Sequence, residues 1–150
     1  MKHLVSFLTF QLLAFLALAQ APADFKSIED YKTAEPTVLE TANFILDTPA
    51  DLDELKRLNS FQYILKWMEG TPDYTFSIES EAMQLTDGKT ELLTVYLSAM
   101  TKAVLDSSSP LTNEQVQAKA KEYTVQYCAK EENHIKPSKA IKKILKSQKS

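Results

Sequence analysis

The residues best suited to chemistry are one cysteine, Cys128, and one histidine close to it, His134. A thiol and an imidazole form a nucleophilic pair when they lie within hydrogen-bonding distance of each other. Six residues separate these two, and on one helix that spacing puts the side chains about 120° apart. A Cys–His pair within a helix is therefore excluded, and we expect Cys128 to be a small buried hydrophobic residue.

Metal binding finds little support in the composition. A zinc site uses three or four ligands, mostly cysteine and histidine, and downstream of residue 19 the chain has one of each. Glu131 and His134 are spaced to share a helix face, which is typical of a surface pair near a helix end. Acidic residues are abundant, but no two are marked as an acid–base pair. We expect no metal and no cofactor.

The sequence DGKT, residues 87–90, is similar to the end of a phosphate-binding loop. Such a loop needs the pattern G-x-x-x-x-G-K-[ST], and the position of its first glycine holds Met83 here. Asp87-Gly88 is typical of a turn, and Thr90 is typical of a helix N-cap. We therefore interpret these residues as structural.

The stretch KWMEGTPDYTFSI, residues 66–78, holds the only tryptophan and one of the two glycines. Trp67, Tyr74 and Phe76 could form an aromatic patch that binds a glycan, a peptide or a lipid. The alternative is that Trp67 ends a helix and the three aromatic rings close the core. We favour this alternative and expect Trp67 to be mostly buried.

The C-terminal segment, residues 136–150, is the other candidate surface, with six lysines and no acid. Residues 20–135 carry ten basic and twenty acidic side chains, so the charge is polarised along the chain. The lysines that could bind an anionic envelope surface include Lys139, Lys142, Lys143 and Lys146. In the alternative, which we favour, these lysines stay solvated while an apolar stripe packs on the acidic body: Ile141, Ile144 and Leu145. Nucleic acid is not an expected partner of an exported acidic chain.

The N-terminus reads MKHLVSFLTFQLLAFLALAQA, with a basic start, an apolar run and small residues after it. This order is typical of a cleaved secretory signal peptide. The apolar run from Leu4 to Ala19 is short for a membrane span, which needs about 20 apolar residues. We predict a signal peptide at residues 1–19, cleavage after Ala19, no transmembrane segment in the mature chain, and a periplasmic or secreted location.

Hydrophobic periodicity predicts an all-α fold for residues 20–150, as one small bundle of about five helices. Two glycines in 150 residues disfavour folds rich in β-turns. Residues 20–35 are expected to be loosely ordered. One extended segment is expected near residues 74–78, where Tyr74, Phe76 and Ile78 alternate with polar residues and point inward. Alternatively, Thr71-Pro72 begins a short helix there.

Capping residues predict where the helices begin and end. Pro36 suits a first helical position, Thr48-Pro49 suits the start of the next helix, and Gly70 suits its end with a positive φ. That second helix is expected to bury an apolar stripe, which comprises Leu52, Leu55, Leu58, Phe61, Leu65 and Met68. Later caps are expected from Thr112 with Gln115 and from Ser138.

Four segments together resemble a group of short, uncharacterised secreted proteins from Bacteroidota: FILDTP (44–49), KWMEGTPDYTF (66–76), YLSAMTKAVL (96–105) and YC (127–128). The resemblance covers roughly residues 44–144. It implies an exported helical protein of a Gram-negative cell and implies no chemistry.

These observations lead us to expect an exported, non-enzymatic interaction protein of the cell envelope. Its partner would be an envelope protein or an anionic envelope surface. The alternative is a small-ligand-binding protein with a pocket between helices, and a hydrolase comes third.

Overall fold

The structure, a computed structural model, describes residues 24–148. Six α-helices and one 3₁₀ turn lie in that range: α1 Ile28–Asp47, α2 Glu54–Gly70, α3 Ser80–Thr86, α4 Thr90–Leu105, α5 Asn113–Ala129, the 3₁₀ turn Glu131–Asn133 and α6 Lys139–Ser147. Residues 24–148 contain no strand, so the all-α prediction is confirmed, with the short α3 as a sixth helix. The predicted signal peptide and its cleavage site lie outside the described residues.

α4 lies at the centre of the bundle and packs against α1, α2, α3 and α5. Ten of its residues are buried. Two of the ten are a serine and a threonine, Ser98 and Thr101, whose hydroxyls donate hydrogen bonds to the carbonyls of Thr94 (2.8 Å) and Leu97 (3.0 Å). Because these hydroxyls bond to their own helix, α4 can be buried on nearly all sides without unpaired polar groups.

α1 begins eight residues before Pro36. Ser27 and Asp30 form a capping box, in which the Asp30 carboxylate accepts the backbone N–H of Ser27 (2.8 Å) and the Ser27 hydroxyl accepts that of Asp30 (3.3 Å). The helix then runs through Pro36 to Asp47. The assignment of Pro36 to a first helical position is therefore wrong, and residues 28–35, expected to be loosely ordered, are helical.

Thr48-Pro49 ends a helix and does not begin one. Thr48 is the C-cap of α1, and its hydroxyl donates a hydrogen bond back to the carbonyl of Phe44 (2.5 Å). α2 starts later, at Glu54, where the carboxylate of Asp53 accepts the backbone N–H of Lys56 (3.2 Å). Thr48 and Asp53 are both good N-cap residues, and the chain uses the second one.

A buried arginine sets the orientation of α2 on the bundle. Arg57 is 8% exposed, and its guanidinium donates to the carbonyls of Ile45 and Thr48 (both 3.2 Å) and to the Thr48 hydroxyl (2.9 Å). Carbonyls at a helix C-terminus lack partners within the helix and carry partial negative charge. The hydroxyl of Tyr127, from α5, also donates to the Thr48 carbonyl (2.7 Å). Arg57 and Tyr127 therefore tie α2 and α5 to the end of α1.

The predicted core stripe of α2 does not face the core, so that expectation is wrong. The residues buried together with Arg57 are Ser60, Tyr63, Ile64 and Trp67. The stripe runs along the flank of the bundle instead, half-buried at Phe61, Leu65 and Met68 and exposed at Leu52, Leu55 and Leu58. The orientation that brings Arg57 to the end of α1 turns these leucines to solvent.

The connections between the later helices mostly follow the predictions. Residues 71–79 contain neither helix nor strand, so no helix starts at Thr71-Pro72. Asp87 and Gly88 make the predicted turn, both with positive φ (55° and 63°), but the N-cap of α4 is Lys89 and not Thr90. The predicted capping box of Thr112 with Gln115 and the predicted Ser138 cap are both present.

Replacement of the buried Arg57 tests how much its contact with the end of α1 stabilises the observed orientation of α2. Arg57→Leu should lower the free energy of unfolding by about 2–5 kcal/mol, because the carbonyls at the end of α1 lose their charged donor and stay buried. Chemical denaturation followed by Trp67 fluorescence measures this change. Lys119→Leu, on the exposed side of α5, is the matched control and should change stability by less than about 0.5 kcal/mol. An Arg57→Leu protein as stable as the control would contradict the role given to Arg57.

Candidate functional site

The aromatic corner formed by Trp67, Tyr74 and Phe76 closes the core. Trp67 is 0% exposed, and its indole N–H donates a hydrogen bond to the carbonyl of Tyr31 (3.1 Å). Its ring lies 5.6 Å from that of Tyr74 and 6.0 Å from that of Phe76, measured between centroids. The predicted burial of Trp67 is confirmed, so a partner could reach only the half-buried Tyr74 and Phe76. Ile78, expected to point inward, is half exposed.

Gly70 serves close packing and not a left-handed turn. Its φ is not positive, unlike that of Gly88, so the expected left-handed end of α2 is wrong. A Cβ at Gly70 would overlap the ring of Tyr31, which is stacked on Phe25 with centroids 4.7 Å apart. The missing side chain therefore lets the first turns of α1 approach the end of α2.

A polar groove of about 610 Å³ lies between α1, the segment after α2 and the loop before α5. Its lining includes Lys32, Glu35, Asp73, Tyr74 and the serines 107–109. Burial, and after it the charge of Asp73, raises the pKa of Glu35. Lys32 Nζ lies 3.6 Å from an oxygen of Asp73. Of the site residues predicted from sequence, Tyr74 belongs to this groove.

α6 carries its four predicted site lysines on its outer side, here called the lysine face: Lys139, Lys142, Lys143 and Lys146. At 100° per residue these positions fall within an arc of about 100°, and all four side chains are exposed. On the opposite side Ile141 is fully buried, and Ile144 and Leu145 are half-buried against the core. The apolar stripe of α6 thus packs on the body, as expected, against α3 and α5.

The surface that sequence reasoning missed is the start of α2. Leu52, Leu55 and Leu58, here called the leucine face, are 48%, 69% and 52% exposed. The sequence shows this stripe clearly, and its apolar character led to its assignment to the core. The competing signal was a second periodic set on the other side of the same helix, which is the set that is buried: Tyr63, Ile64 and Trp67.

Cys128 and His134 occupy different environments. Cys128 is buried, as predicted, and burial raises the pKa of its thiol to about 11, which disfavours the reactive thiolate. His134 is exposed, and its Nδ1 lies 3.0 Å from the Asp51 carboxylate. The expected pair of His134 with Glu131 is therefore wrong, because the chain leaves α5 at Ala129 and His134 adopts a positive φ of 50°. Hydrogen bonding to His134 lowers the pKa of Asp51.

Metal-binding side chains do not cluster in the part of the chain that the structure describes. Among residues 24–148, no group of three or more histidine, cysteine or acidic side chains is placed to hold a metal ion. Within the same residues, no helix has the length and apolar character needed to cross a membrane.

Comparison with known proteins gave no match to this chain among family models, curated proteins or solved structures. A function is therefore inferred from the surfaces of the protein itself.

A double-mutant cycle tests the packing assigned to Gly70. Gly70→Ala should destabilise the protein by about 1–3 kcal/mol, because the new methyl group overlaps the Tyr31 ring. In a Tyr31→Ala background the same change should be neutral or slightly stabilising, since alanine favours a helix over glycine by about 1 kcal/mol. Thermal or chemical unfolding of the four proteins measures the coupling. An equal cost of Gly70→Ala in both backgrounds would refute the contact.

Proposed function

We propose that this chain is an exported, non-enzymatic interaction protein of the cell envelope that binds a partner protein through the leucine face. The observation that carries the proposal is the exposure of three leucines at the start of α2: Leu52 in the turn before the helix, and Leu55 and Leu58 on the helix. Grouped large apolar side chains on a protein surface often mark interaction sites, because their burial by a partner is favourable. Export is supported by the N-terminal residues, whose order is typical of a cleaved signal peptide.

The leucine face belongs to a longer apolar line. It continues along α2 into Phe61, Leu65 and Met68, which are half-buried at the edge of the core. From Leu55 to Met68, both within α2, the helical rise gives a length of about 20 Å. A partner helix of about 13 residues, with its own apolar side chains three and four positions apart, fits such a line.

Acidic side chains border the exposed end of this line. Asp51, Asp53 and Glu54 lie beside the leucines in the chain and are exposed. The carboxylates of Asp51 and Asp53 are held in place, by His134 and by the backbone N–H of Lys56. Opposite charges across an interface steer association and fix its orientation. We therefore propose an amphipathic partner helix with lysine or arginine at the end that meets Leu52 and Leu55.

The environments of the reactive side chains support a non-enzymatic role. Burial raises the pKa of Cys128, which makes the thiol a poor nucleophile. His134 pairs with Asp51 at the surface, away from the groove between α1 and α5. No described cavity therefore combines a nucleophile with a histidine base.

The polar groove favours a second candidate function, the binding of a small ligand. Its carboxylates, Lys32 and the hydroxyl of Tyr74 offer hydrogen-bond donors and acceptors around about 610 Å³. A ligand that binds only the native protein raises its melting temperature. Such a rise with small polar compounds, in a protein whose leucine face captures no partner, would favour this second function over the first.

Photo-crosslinking from the leucine face tests the proposed function. A photoreactive amino acid at position 55, introduced in the native cells, should give an adduct with one other protein. Mass spectrometry of the adduct should place the crosslink in an apolar helix flanked by lysine or arginine. Position 119, exposed on α5, is the control site and should not give this adduct. No adduct from position 55, an adduct between two copies of this chain, or the same adduct from both positions would each reject the proposal.

Substitution of the leucines provides the matched comparison. Leu55→Ser with Leu58→Ser should abolish capture of the crosslinked partner while changing stability by less than about 0.5 kcal/mol per site, because each residue is more than half exposed. The control replaces two exposed isoleucines outside the face, Ile28→Ser with Ile78→Ser, and should keep full capture. Equal capture by the two double variants would show that the leucine face is not the binding surface.

A further inference from the structure

The lysine face of α6 is a dense cluster of positive charge in a segment of the sequence without acidic residues, and Glu81 of α3 lines a surface pocket together with Lys143. Its four lysines lie within about 10 Å along the helix, and no acidic residue occurs between positions 133 and 150. Among residues 24–148, the side chains of Lys139, Lys142 and Lys143 form no ion pair. The charge of these three lysines is therefore available to an anionic partner.

The apolar side of α6 is already occupied by the body of the protein. Ile141 is 0% exposed, and Ser138, which caps the helix, is buried and bonded to the carbonyl of Leu85. A helix anchored in this way cannot turn its isoleucines into a bilayer. Any attachment through the lysine face is therefore electrostatic and lies at the level of charged headgroups.

The chemistry of the lysine face distinguishes among anionic partners. A specific protein interface is usually centred on buried apolar or aromatic anchors, and the lysine face has none because the apolar residues of α6 point inward. Single-stranded nucleic acid is held by aromatic side chains that stack on bases, and the lysine face has no aromatic residue. A bilayer needs only a high density of charge along one side of a helix, which is what α6 provides.

We propose that the lysine face binds the anionic headgroups of a lipid bilayer and so holds the protein at a membrane surface. This attachment goes beyond the proposed function and does not depend on the leucine face. Each lysine close to an anionic surface contributes a factor of about five to the affinity. Added salt weakens such contacts, since exposed charges are screened beyond about 8 Å at physiological ionic strength.

Vesicle sedimentation of the full chain tests this attachment. The protein should bind vesicles of mixed phosphatidylglycerol and phosphatidylcholine, release them at high salt, and bind pure phosphatidylcholine weakly. Lys→Gln at positions 139, 142, 143 and 146 should lower the affinity for the anionic vesicles by about two orders of magnitude or more. The matched control, with the same loss of charge, is Lys→Gln at positions 26, 32, 119 and 130, and should lower it less than tenfold. Both variants should keep the melting temperature of the parent, because all eight side chains are exposed.

Four results would overturn the proposal. The first is an absence of binding to the anionic vesicles. The second is equal binding to pure phosphatidylcholine, which would assign attachment to apolar residues elsewhere. The third is an equal loss of affinity in the two variants, which would make net charge the cause. The fourth is binding of duplex DNA as tight as that of vesicles with the same phosphate concentration, which would indicate a general polyanion site.

Discussion

The guanidinium of Arg57 at the end of α1 is the contact on which the arrangement of the other helices depends. α1 has no basic residue in its last turn and no glycine at its C-cap, so its final carbonyls need donors from other elements. Arg57 supplies them from α2, and Tyr127 supplies another from α5. Because this contact fixes which side of α2 faces the body, it also determines which side chains of α2 meet solvent.

α2 and α6 present opposite chemistry for the same physical reason. α6 uses its isoleucines to pack on α3 and α5, so its outer side is left with lysines. α2 packs through Arg57, Tyr63, Ile64 and Trp67, so its leucines are left outside. The core around α4 is closed without those leucines. An apolar face that folding does not need is the kind of feature that a partner can stabilise by burying it.

The sequence predicts local features well and the junction of α1 with α2 poorly. The Asp87-Gly88 turn and the Thr112–Gln115 box depend on neighbouring residues, and both are present. Thr48 and Asp53 satisfy the same capping rule, so only the distant contact of Arg57 with α1 decides between them. Likewise, the reason for glycine at position 70 lies in Tyr31. The lysine face could be predicted from the sequence because a high density of charge is a local property of the chain. The exposure of the leucine face could not, because it depends on how α2 is rotated against the other helices.

The orientation of α2 is the central claim, and native-state thiol labelling tests it most directly. In a Cys128→Ala background, the Leu55→Cys variant should react with a thiol reagent nearly as fast when folded as when denatured. The Ser60→Cys variant should be strongly protected when folded, because Ser60 is only 3% exposed. Protection at position 55 together with rapid labelling at position 60 would contradict this orientation, since α2 would then turn its leucines toward the core.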